Sequence, residues 1–90
     1  MHYRKEKLES LIGQLLSKEI VRTIETPDAL ITIINVSLDD KLETAKVYVE
    51  IFPDSRGKEV KKELKEKARA LRHFLVKKIN IRKVPDIVFK

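Results

Sequence analysis

The sequence predicts an α+β fold in which two amphipathic helices cover one face of a three-stranded sheet. Two observations carry this. Apolar residues return every three or four positions in two separate stretches, and every second position in the β-branched stretch between them. After the second helical run the period changes once more, into a short apolar segment that contains a proline. The order is therefore helix-strand-strand-helix-strand. Ninety residues can bury one core two layers thick and no second one, so a single domain over residues 1–90 is expected.

The first helix is expected from Arg4 to about Arg22, where Leu8, Leu11, Ile12, Leu15, Leu16 and Ile20 hold a helical period between charged residues. Gly13 sits inside it, at a cost of about 1 kcal/mol relative to alanine, so it either allows close packing or is merely tolerated. Pro27 removes a backbone donor and biases Thr26 towards extended backbone, which ends the helix in a loop. Strand one runs from Ala29 to Leu38. Its alternation places Leu30, Thr32, Ile34, Val36 and Leu38 on one face, with Ile31, Ile33, Asn35 and Ser37 on the other. Asp39-Asp40-Lys41-Leu42-Glu43 is too short for a helical crossover and predicts an antiparallel return. Strand two, Thr44 to Phe52, turns Ala45, Val47, Val49 and Ile51 towards the helices. Pro53 to Gly57 forms a turn, with Ser55 a candidate cap for the second helix. On that helix Val60, Leu64, Ala68, Leu71, Leu75 and Ile79 form the buried row, and the extended segment from Asn80 to Phe89 follows.

Composition narrows the function. The chain has no cysteine, which excludes disulfides and thiolate chemistry and makes a reducing cytoplasm the expected compartment. No apolar run approaches the ~18 residues of a membrane span, and the N-terminus lacks the apolar core of a signal peptide. The net charge of +6 is unevenly spread. Residues 1–24 carry five Lys/Arg against three Asp/Glu, residues 25–53 two against six, and residues 54–90 thirteen against five. A polyanion is drawn to the last third and repelled by the middle one.

Within that last third, Lys58, Lys62, Lys65, Arg69 and Arg72 are spaced by four, three, four and three residues, a line along the helix away from its apolar row. A solvated helix face can look the same, so the row by itself is read only as a candidate nucleic-acid surface. Lys77, Arg82 and Lys83 extend the positive charge beyond it. Catalysis finds little support. His2 and His73 have no metal-ligand or nucleophile partner by spacing, and Asp39, Asp40 and Glu43 lack the glycine and terminal glutamate of a calcium loop. Tyr48 and Phe52 share a strand face and could stack on bases, though packing or surface roles suit so aromatic-poor a chain better.

Ser37-Leu38-Asp39-Asp40-Lys41-Leu42, Ala45-Lys46-Val47-Tyr48-Val49 and Val84-Pro85-Asp86-Ile87-Val88-Phe89 together resemble bacterial ribosome-binding factor A. The resemblance covers nearly the whole chain and implies a KH-like type II fold, in the element order already read from periodicity. It implies a cytoplasmic, monomeric, non-enzymatic assembly factor without metal or cofactor. Such a factor binds the small ribosomal subunit and its precursor rRNA, supports late maturation and processing of the rRNA leading end, and matters most at low temperature. No membrane or small-molecule partner is implied. The family bears an interhelical kink, Ala-x-Gly, in place of the Gly-x-x-Gly loop of ordinary KH domains. The matching residues are Ala68-Arg69-Ala70, with alanine where the family has glycine. A change of direction or register is still expected there, because an unbroken helix from Lys58 to Ile79 would measure roughly 30 Å and overhang strands of typical ~20 Å length. The alternative function is a small protein-interaction module that uses an apolar strand face or edge.

Overall fold

The computed structural model describes residues 4–25, 28–81 and 83–90. The turn expected at Thr26 and Pro27, as well as His2 and the candidate contact Arg82, lie outside the described residues. The elements are α1 (Lys5–Thr23), β1 (Leu30–Leu38), β2 (Thr44–Phe52), a short 3-10 turn (Asp54–Arg56), α2 (Gly57–Lys78) and β3 (Asp86–Phe89). This is the α+β order that both periodicity and resemblance imply. The sheet order is β1-β2-β3, with β1 antiparallel and β3 parallel to β2.

One apolar core joins both helices to one face of the sheet. Leu8, Ile12, Leu16 and Ile20 of α1 meet Val60, Leu64, Leu71 and Leu75 of α2 over Ala45, Val47, Val49 and Ile51 of β2. The helical period of the first two sets and the strand period of the third are what bring them to one layer. Asp39 builds the β1-β2 return. Its Oδ1 accepts hydrogen bonds from the backbone N–H of Glu43 at 2.7 Å and of Thr44 at 3.0 Å, while Leu42 takes a left-handed φ of 57° and still packs its side chain against the core.

Four expectations are corrected. First, α2 is one uninterrupted α-helix across Ala68-Arg69-Ala70. Alanine lacks the freedom that glycine brings to a kink. In addition, β1 and β2 have nine residues each, about 30 Å at 3.3–3.4 Å per residue, so the ~20 Å strand behind the expected overhang is not the one that forms. Second, β1 does not keep one alternation. Its register against β2 shifts between Ile33 and Asn35, which leaves Ile34 exposed as the extra residue of a bulge. Before the bulge Ile31 and Ile33 pack on the core; after it Val36 and Leu38 do. Third, β3 holds only Asp86–Phe89, tied to β2 through Asp86 N–H to Glu43 O and Lys90 N–H to Val47 O. Fourth, Ser55 caps nothing: it lies within the 3-10 turn, and Arg56 precedes α2 without a side-chain cap.

Candidate nucleic-acid interface

The apolar row of α2 fixes how its cations present themselves. Because Val60, Leu64, Leu71 and Leu75 are buried, Lys58, Lys62, Lys65 and Arg69 are held exposed along one side of the helix. They cover eleven residue steps, about 16 Å of helix. Of the neighbouring carboxylates, Glu59 and Glu63 are engaged elsewhere, while Glu66 is exposed beside the row, four residues after Lys62. Glu59 receives Arg56 Nη1 at 2.9 Å, and Glu63 receives Lys67 Nζ at 2.9 Å. Among the described residues none of the four exposed cations forms an ion pair or a side-chain hydrogen bond. The row ends at Val76, one helical repeat beyond Arg69, a half-exposed apolar side chain.

Arg72 does not belong to this row. Four residues after half-buried Ala68, it lies only about 40° further round the helix, on the flank that faces the segment leading into β3. There its Nη2 donates to the Val84 carbonyl at 2.9 Å, and its Nε lies 3.2 Å from Asp86 Oδ1. That second contact has the distance of an ion pair without the alignment of a hydrogen bond. The guanidinium therefore clamps β3 to α2. Lys77 is exposed but about 80° round the helix from Arg69. Lys83 is exposed and sits 3.8 Å from Glu43 Oε2. Of the described candidate contacts, four are brought together and three are not.

Two further cations have assigned tasks that spacing did not reveal. Lys67 donates to the Thr23 carbonyl at the end of α1 as well as to Glu63, and the Glu63 hydrogen bond holds its ammonium above the usual 10.5. Lys78 lies over the Phe74 ring, 5.8 Å from its centre. Lys61, which the spacing passes over, is exposed and lines a cleft of about 400 Å³ with Lys58, Glu50 and Ile51. A rule that asked for exposed lysines beside the row, and not only within it, would have found Lys61.

The face of the sheet away from the helices is open. Leu30 and Phe52 are cross-strand partners there, 65% and 70% exposed, and Tyr48 on the same face is half-buried. Glu50 stands between the two aromatic positions, which opposes phosphate on that face. No group of His, Cys, Asp and Glu fit to hold a metal ion occurs among the described residues. None of the described helices is long and apolar enough to cross a membrane.

Comparison with known proteins places this geometry among relatives. The family model described as ribosome-binding factor A matches residues 4–90. Ribosome-binding factor A of Caldanaerobacter subterraneus is 32% identical, across all of this chain and 76% of its own length. That of Natranaerobius thermophilus is 34% identical, over 97% of this chain and 68% of its own length. The crystal structure of ribosome-binding factor A from Thermus thermophilus superposes with a TM-score of 0.83 at 28% identity, over 97% of this chain and 93% of that one. A Thermus thermophilus homology model fitted into a cryo-EM map of a complex with the 30S subunit superposes at 0.80 and 28% identity, over 92% and 89% of the two chains.

Proposed function

Because the chain belongs to the ribosome-binding factor A family, we propose that it is a non-catalytic factor that binds the small ribosomal subunit and its precursor rRNA in the cytoplasm. The observation that carries this reading is the exposed row Lys58, Lys62, Lys65 and Arg69, which forms no ion pair among the described residues. Such a row meets phosphates along a backbone and reads shape and charge, not base identity. The similar Thermus protein has been placed in a complex with the 30S subunit, which supports the partner proposed here. Binding as a monomer, the protein would hold rRNA in a productive arrangement during late maturation and leading-end processing, a task most needed when misfolded RNA escapes slowly in the cold.

The competing reading is a protein-interaction module acting through the open sheet face, favoured by the exposed Leu30-Phe52 pair. Salt separates the two. Co-sedimentation with small subunits and their precursors should weaken steeply as salt rises, with log affinity falling at about −0.7 to −0.9 per phosphate contact. Affinity flat across that range would assign the interaction to the apolar face.

A further inference from the structure

We propose that the outer edge of β1 is a docking groove for an extended, lysine- or arginine-rich segment of a partner protein. β1 is an edge strand, with β2 on one side only. Its backbone shows which way the free groups point. The Leu38 N–H is donated at 2.8 Å to the Glu9 carboxylate of α1, not to β2. Antiparallel pairing alternates with period two, so the Val36 N–H points the same way, into the space beside α1. That space is an open groove of about 440 Å³. It is lined by Ile33 to Val36 of β1 and by the α1 side that carries Glu6, Gly13 and Ser17.

Charge selects the occupant. Among the described residues the lining includes Glu6 and Glu9 and no cation, although the chain as a whole carries +6. RNA is therefore repelled from this edge, while a basic segment is attracted to it and can pair its own backbone with β1. A second copy is disfavoured, because joining two β1 edges brings the glutamates of both copies together. Gly13 brings α1 close to β1 beside the groove: a Cβ there would stand 3.4 Å from Val36 Cγ2. The groove lies on the α1 side, whereas the cation row is on α2, so one molecule can hold RNA and a basic protein segment together.

The test is an amide NMR titration of the full chain with an acetylated hexapeptide alternating lysine and valine. Shifts concentrated on Gly13 and Ile33 to Val36 are expected. N-methylation of alternate residues in the peptide, which removes strand donors without altering the protein, should abolish them. The glutamate-valine counterpart should not bind. Ser17→Arg, at an exposed position, should weaken the lysine peptide roughly tenfold by placing a cation at the groove. Equal binding of the N-methylated peptide, shifts confined to the open sheet face, or no binding of the lysine peptide would each overturn the proposal. Shifts of the same residues on raising protein concentration alone would also overturn it, in favour of a second copy.

Discussion

Replacing Arg72 by alanine isolates the clamp between α2 and β3. The substitution removes a charged donor that reaches the Val84 carbonyl at 2.9 Å and an ion pair with Asp86 at 3.2 Å. A hydrogen bond from a charged group is worth about 1.5–3 kcal/mol, and a guanidinium side chain 36% exposed falls towards the lower end. The pair with Asp86, whose side chain is 77% exposed, adds about 0–1 kcal/mol. The expected loss is therefore about 2 kcal/mol, or roughly 10 °C in melting temperature for a domain of this size. Asp86→Asn should cost no more than about 1 kcal/mol, because it leaves the Val84 contact in place. Urea and thermal melts followed by circular dichroism measure both. An Arg72→Ala protein that melts like wild type, with weakened RNA binding, would return Arg72 to the cation row and refute the clamp.

Leu71 is 1% exposed, so Leu71→Ala should destabilise by about 2–5 kcal/mol through lost transfer energy and a residual cavity, read as a lower urea midpoint. Gly13→Ala gains helix propensity of up to about 1 kcal/mol, and its new Cβ reaches ordinary contact with Val36 at 3.4 Å. A small rise in melting temperature is expected, and a fall would show that α1 and β1 cannot yield at all. Asp39 is held below its usual 3.8 chiefly by the Thr44 N–H, with Glu43 N–H in support. A depressed carboxylate stabilises above its unfolded value and loses that contribution as pH falls through the folded one. Acid denaturation below about pH 3.8 should therefore be less steep in Asp39→Asn, as a series of melts against pH would reveal.

Periodicity made the element order, the buried row of α2 and the inward face of β2 legible, because each follows from residues a few positions apart. The bulge was not legible. Thr32, Ile34 and Val36 alternate without a break in the sequence, and only pairing with β2 decides that Ile34 is the residue left over. Arg72 failed for a related reason: helical spacing sets the angle of a side chain on its own helix, and the β3 segment that captures it arrives from twelve residues further along. The kink expected at Ala70 rested on a typical strand length, whereas β1 and β2 are nine residues long. What the sequence did convey about the candidate surface was that Lys58, Lys62, Lys65 and Arg69 share one exposed side of α2, not the boundary between exposed cations and cations spent on the fold.

The exposed row on α2 is the proposed RNA contact. Lys62, Lys65 and Arg69 all point to solvent, so reversing the three to glutamate should leave the circular dichroism spectrum and the melting transition close to wild type. Co-sedimentation of this triple variant with purified small-subunit precursors is the direct measurement. Loss of the folded variant from the subunit fraction is the predicted result, and a folded variant that co-sediments at wild-type strength would contradict the account.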